Sequence, residues 1–214
     1  MRYWQDLHDD LAPGVQPDQQ SYAAPLGTRR LLLPIRALPD GKRGVASLII
    51  NQASFRVLDA LADRLAGQLA PFAPDVVVGV PTLGLPLAEG VARRLGHDRL
   101  VALGTSRKFW YDEALSVPLR SITTPGGGKQ LYLDPRMRPC LAGKRLAVVD
   151  DVLSSGASIA AVLDLLAVAD MRAQVIGAAM LQGDAWHART GAVPVTGAFR
   201  TPILTRHGTE WRET

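Results

Sequence analysis

A strand that ends in two adjacent carboxylates and runs straight into a Ser/Gly loop leaves few folds open, and residues 145–158 (RLAVVDDVLSSGAS) form such a stretch. Leu146–Val149 is an apolar, largely β-branched run that suits a buried parallel strand. Asp150 and Asp151 come at its carboxyl end. Ser154-Ser155-Gly156-Ala157-Ser158 follows, and then an alanine- and leucine-rich helix. The first-turn amides of such a helix lack internal acceptors, and its dipole adds positive charge, so the loop is a phosphate cradle. The acids beside it repel that phosphate and suit hydroxyls or a metal ion instead. A phosphate on one side and hydroxyls or Mg²⁺ on the other describes a phosphorylated sugar.

Residues 150–158 resemble the signature of the type I phosphoribosyltransferases: two acids, two apolar residues, a small residue, Thr or Ser, Gly, any residue, and Thr or Ser. Asp150, Asp151, Val152, Leu153, Ser154, Ser155, Gly156, Ala157 and Ser158 fit every position. The resemblance implies that Ser154, Ser155, Gly156, Ala157 and Ser158 bind the 5-phosphate of phosphoribosyl pyrophosphate. It also implies that Asp150 and Asp151 hold the ribose hydroxyls and shape a Mg²⁺ site indirectly, through water and substrate.

The rest of the chain alternates strand and helix. Val76–Val80 is a continuous apolar run, followed by Pro81-Thr82-Leu83-Gly84 and a helix with Pro86 in its first turn. Leu100–Leu103 and Gln174–Met180 read as further strands, and Ser54–Leu69 as a helix with Ser54 as its N-cap. This rhythm predicts an α/β fold with a doubly wound, mostly parallel sheet, whose ligands sit outside the strand carboxyl ends. The resemblance extends over most of residues 30–181. It makes Thr82, Leu83 and Gly84 a pyrophosphate loop, and Arg107 and Lys108 the cations that receive the departing pyrophosphate. Arg offers a bidentate fork and Lys a point charge for that role. Leu83 departs from the adenine-specific members, which usually carry Arg there.

Residues 109–131 break every period and match the family's flexible lid; Asp112 or Glu113 is its candidate carboxylate toward the base. Pro125-Gly126-Gly127-Gly128-Lys129 fails as a Walker loop, because Thr123 stands at the first Gly position and Gln130 at the Ser/Thr. Residues 29–53 resemble the small hood of the adenine and xanthine branches, with Ile50 and Asn51 as base contacts. The expected organisation is an N-terminal arm (1–28) and one domain (29–214). That domain divides into hood, core to residue 181 with the lid, and a C-terminal tail at 182–214, which carries Trp186 and Trp211.

Among 214 residues, 47% hydrophobic and 21% charged content argues for a globular chain with a substantial core. The net charge of +4 is spread out and suits a small anionic substrate; no nucleic-acid-binding motif accompanies it. Cys140 is the only cysteine, so no internal disulfide is possible. His8, His97, His187 and His207 share no ligand spacing. No apolar run approaches the roughly 20 residues that span a bilayer, and the acidic N-terminus is not a secretory signal. The expectation is a cytoplasmic, homodimeric Mg²⁺-dependent transferase with phosphoribosyl pyrophosphate and a nucleobase, a purine, as substrates. The rival is a non-catalytic sensor or regulator on the same fold that binds phosphoribosyl pyrophosphate or a nucleotide.

Overall fold

The structure, a computed structural model, describes residues 5–119 and 129–213. In chain order its strands begin with β1 (Leu7–His8), β2 (Gly14–Val15), β3 (Ser21–Leu26), β4 (Arg29–Ala37) and β5 (Arg43–Ala46). Next come β6 (Val76–Gly79), β7 (Val101–Ala102), β8 (Ser116–Leu119), β9 (Lys129–Tyr132) and β10 (Leu146–Leu153). The last are β11 (Ala173–Gln182), β12 (Val195–Thr201), β13 (Ile203–His207) and β14 (Glu210–Glu213). The helices are α1 (Phe55–Leu69), α2 (Gly84–Arg94), α3 (Arg138–Leu141), α4 (Ala157–Val168) and α5 (His187–Thr190).

Five strands form a wholly parallel sheet in the order β12-β11-β10-β6-β7. Its strands are apolar on both faces, as burial between two helical layers requires. Val77, Ala147 and Val149 join the cluster that includes α1 and α2, whereas Val76, Val78, Leu146 and Val148 join the one that includes α4. That strict alternation is the period-2 geometry of a strand serving two cores. Helix α1 starts where Ser54 caps it, its hydroxyl accepting from Val57 N–H at 3.4 Å. Leu61, Leu65 and Leu69 are fully buried along one face, each contributing on the order of 1.5–3 kcal/mol. At the amino ends of β6 and β10, Arg145 grips Asp75 with a fork of 2.8 and 3.1 Å contacts. That guanidinium holds the Asp75 carboxyl below the usual carboxylate range.

The second sheet corrects the expected outline at both ends of the chain. Residues 5–28 are not a detached arm: β1 pairs with β4, and β3 pairs with β4 along its whole length. Tyr22, Ala23, Ala24 and Leu26 are buried there. Nor are residues 182–214 a tail. Strand β12 completes the parallel sheet, and β13 pairs with β5. The hood is therefore a seven-stranded sheet in the order β14-β13-β5-β4-β3-β2, with β1 on β4, larger than the 29–53 flap. Its two ends approach each other: the Trp211 N–H donates to the Gln19 side chain at 2.7 Å. A Cβ on Gly14, which sits at φ +101°, would lie 2.9 Å from a Glu213 carboxylate oxygen.

The described parts of the 109–131 segment, 109–119 and 129–131, include paired and buried residues that its aperiodic sequence does not imply. Strands β8 and β9 form an antiparallel hairpin stem, and Leu115, Val117, Leu131 and Leu133 bury their side chains in the α4 cluster. Residues 120–128, including the Gly126–Gly128 triplet and Thr123, lie outside the described residues. Among the described residues no helix is long and apolar enough to cross a membrane.

Candidate active site

The carboxyl ends of β6, β7, β10, β11 and β12 make one rim of the molecule, and the three loops singled out from sequence, at 81–84, 105–108 and 150–158, follow β6, β7 and β10 there. Strand β10 is longer than expected. It runs through both acids to Leu153, with Asp150 opposite Ala178 and Val152 opposite Met180 of β11. The acids are thus held by a sheet ladder rather than by a loop. The chain then turns at Gly156, the N-cap of α4, with φ +75°. Only glycine fits there: a Cβ would lie 2.8 Å from Arg189 Cβ and 3.0 Å from Trp186 Cα. Ser155 Oγ accepts from the Ala157 N–H at 3.3 Å. Ser154, Ser155, Ala157 and Ser158 are partly exposed around the open helix N-terminus. No acid occupies the first turn of α4, so the positive end of the helix faces the rim unneutralised.

Asp150 is only 5% exposed, and one of its oxygens accepts from the Asp151 N–H at 2.8 Å. Burial, and then the Asp151 charge, raise its pKa well above the usual carboxylate range. Burial also raises Asp151, partly offset by hydrogen bonds that it accepts. Two carboxyls pushed upward side by side are short of positive charge and of donors, which is the need a sugar diol or a divalent cation meets. Among the described residues no group of three or more His, Cys, Asp and Glu gathers as a metal site. The pair could hold a divalent cation only with water and substrate as its other ligands.

The loop after β6 carries a cis peptide between Pro81 and Thr82. Thr82 is exposed, whereas Pro81 and Leu83 on either side are only partly so and Gly84 is buried. The Leu83 side chain packs against the core cluster, which leaves only its backbone for an anion. Gly84 opens α2 and lies directly against β10: a Cβ there would sit 3.0 Å from Asp150 Cα and from its Oδ1. The α2 N-terminus and the Asp150 carboxyl are therefore in contact, which couples the two loops.

Arg107 and Lys108 follow β7 on the same rim and are exposed. Arg107 pairs with Glu113, Nε to Oε1 at 2.8 Å, while the Asp112 carboxylate accepts from the Ala114 N–H at 2.9 Å. Both lid acids thus have partners within their own loop.

Ile50 is a correction. Its side chain is 1% exposed and belongs to the core, so it offers no wall to a base, whereas Asn51 in the same 3₁₀ turn is exposed. The sequence reading also missed a cleft of about 440 Å³ between the ends of β11 and β12 and the hood strand β13. Gly183, Asp184, Arg200, Thr201, Pro202 and Ile203 line it. The Thr201 hydroxyl is buried there without a hydrogen-bond partner. Trp186, expected in a tail, is 3% exposed and donates its indole N–H to Gly183 O at 2.9 Å. The alternating Val195–Thr201 run after Pro194 was the available signal for this strand.

Comparisons with known proteins bear on the family and the fold. The chain is 31% identical over 127 residues to the xanthine phosphoribosyltransferase of Chloroflexus aurantiacus, covering 58% of this chain and 56% of that protein. It is 30% identical over 153 residues to the adenine phosphoribosyltransferase of Gluconobacter oxydans, covering 69% and 79% respectively. The chain thus spans little more than half of the first relative. The adenine phosphoribosyltransferase of Saccharomyces cerevisiae superposes with a TM-score of 0.60 at 18% identity, over 78% of this chain and 93% of that one. That likeness bears on the fold. With a phosphoribosyl transferase domain matched over residues 44–192, well over half its length, the chain belongs to the phosphoribosyl transferase domain family.

Proposed function

We propose that this protein transfers the phosphoribosyl group of phosphoribosyl pyrophosphate to a ring nitrogen of a heterocyclic base, a purine, with release of pyrophosphate. The observation that carries the reading is the pair of proton-hungry carboxyls on β10, Asp150 buried and Asp151 partly so, beside a helix N-terminus with no acid in its first turn. The phosphate sits at residues 154–158, which are partly exposed, apart from Gly156, around the N-terminus of α4. The ribose diol donates to Asp150 and Asp151. Pyrophosphate lies over the Thr82–Gly84 backbone and takes Arg107 and Lys108 as cations. Asp150 and Asp151 would hold Mg²⁺, which would supply positive charge to the substrate oxygens.

In the reaction the bond from the ribose C1 to a pyrophosphate oxygen breaks, and the oxygen leaves with the electron pair. The base nitrogen donates its pair to C1 and its proton is lost to solvent. No protein nucleophile is required. The chain contributes by holding the reactants in line and by stabilising the charge that gathers on the leaving group. The hairpin stem, tied to the residues after β7 where Gly104 and Tyr132 exchange backbone hydrogen bonds, limits water at the electron-poor C1. We assign the base to the cleft beside Arg200 and Thr201, where a buried hydroxyl without a partner favours an incoming polar edge. Asn51 remains an exposed second candidate. The family resemblance also supports a homodimer acting in the cytoplasm.

The test is pyrophosphate release across a panel of purine and pyrimidine bases. Turnover with one purine, lost in the Asp150→Asn/Asp151→Asn variant, supports the assignment. Ligand binding with no turnover on any base would make the protein a sensor instead.

A further inference from the structure

Arg107 does not wait for its ligand uncompensated. Its Nε lies 2.8 Å from Oε1 of Glu113, and both side chains remain more than half exposed, at 57% and 60%. An arriving anion therefore has open access to the pair. Both sides of the pair are braced by hydrogen bonds. On the Glu113 side, Asp112 caps the turn, the Ser116 hydroxyl donates to the Glu113 carbonyl at 2.8 Å, and Leu115 is buried in the core. On the Arg107 side, the Tyr111 N–H donates to Lys108 O at 3.0 Å. The Trp110 indole donates to Asp134 at 3.2 Å beneath the Arg136 guanidinium. A fixed turn thus presents a carboxylate to the cation on the leaving-group side of the rim.

We propose that Glu113 is a resident substitute for pyrophosphate. It holds Arg107 in the free protein, yields it to a pyrophosphate oxygen on binding, and takes it back as the product departs. The idea rests on the reading that Arg107 receives pyrophosphate. Its chemical sense lies in release: a polyanion gripped by two cations and a helix N-terminus dissociates slowly, and a carboxylate competing for one cation lowers that affinity. Glu113 is then an affinity-determining residue rather than a catalytic one.

Calorimetric titration of Mg²⁺-pyrophosphate into the parent, Glu113→Gln, Arg107→Gln and the double variant separates the possibilities. Exposed ion pairs are weak, so Glu113→Gln should tighten pyrophosphate by about twofold to fivefold. Arg107→Gln should weaken it, and the double variant should match Arg107→Gln alone. Weaker binding in Glu113→Gln would mean that Glu113 orients Arg107, which overturns the proposal. A gain that persists without Arg107 would mean general repulsion, which also overturns it. If Arg107→Gln changes nothing, the pyrophosphate role of Arg107 falls, and this inference with it.

Discussion

Replacing Gly84 by Ala adds one methyl group where the structure leaves no room for it. The new Cβ would stand 3.0 Å from Asp150 Cα, 3.0 Å from its Oδ1 and 3.1 Å from Val149 O. Two of those three atoms are backbone of the central strand, which cannot swing aside as a flexible side chain can. Either α2 moves off the sheet or β10 shifts under Asp150. Overpacking of this kind costs about 1–3 kcal/mol. For a chain of this size 1 kcal/mol moves Tm by about 2–4 °C, so a mid-range cost of about 2 kcal/mol predicts a fall of about 4–8 °C. Because the strained atoms include the Asp150 carboxyl, phosphoribosyl pyrophosphate affinity should fall as well. Gly67→Ala is the control. It makes the same chemical change inside α1, where nothing lies within 4 Å of the added Cβ, and helix propensity should raise stability by up to about 1 kcal/mol. Calorimetric melting of both variants gives the answer. A Gly84→Ala protein as stable as its parent, with unchanged ligand affinity, would refute the claim that α2 and Asp150 are in forced contact.

Asp150→Asn should stabilise the free protein near neutral pH while removing turnover. The folded Asp150 pKa lies above its unfolded value, so its contribution is fully present below the unfolded pKa and is lost as pH rises through the folded one. Denaturant melts from about pH 4 to about pH 8 should show the variant pulling ahead as pH rises; parallel curves would contradict this. Gly156→Ala should abolish phosphate binding, since both φ +75° and the Trp186–Arg189 backing forbid the side chain; retained affinity, measured calorimetrically, would show that the loop adapts. Hydrogen exchange should be slow at Leu131 and Val117 even without ligand, because the hairpin stem is paired and buried. Fast exchange there would restore the view of 109–131 as a lid that moves as a whole.

Much of the core was legible because its signals are local. The run 145–158 carries its strand, acids, turn glycine and helix within a few residues, and the structure places them as one unit. Helix α1 was equally plain from Ser54 and the Leu61, Leu65, Leu69 spacing. The hood was not legible, because its short strands are stabilised by partners far along the chain. Ile203 pairs with Val45, and Trp211 bonds Gln19. No local pattern announces such pairings, so both chain ends read as loose segments. At the rim, residue type does not separate a wall from a core position. Ile50 and Leu83 carry the same apolar character as a base contact would, yet both side chains turn into the cluster beneath. The Arg107–Glu113 pair was hidden for a further reason: a carboxylate in an aperiodic segment can meet any nearby cation, and only the capped turn decides which.

The central claim is that residues 150–158 hold phosphoribosyl pyrophosphate, with the two acids on its ribose. Isothermal titration of that compound, with and without Mg²⁺, into the parent and into Asp150→Asn/Asp151→Asn tests it most directly. The account predicts binding to the parent that weakens without Mg²⁺ and is lost in the double variant, which stays folded because Asn keeps the size of each carboxyl side chain and an oxygen that accepts hydrogen bonds. No binding to the parent in either condition, or equal affinity in the double variant, would contradict it.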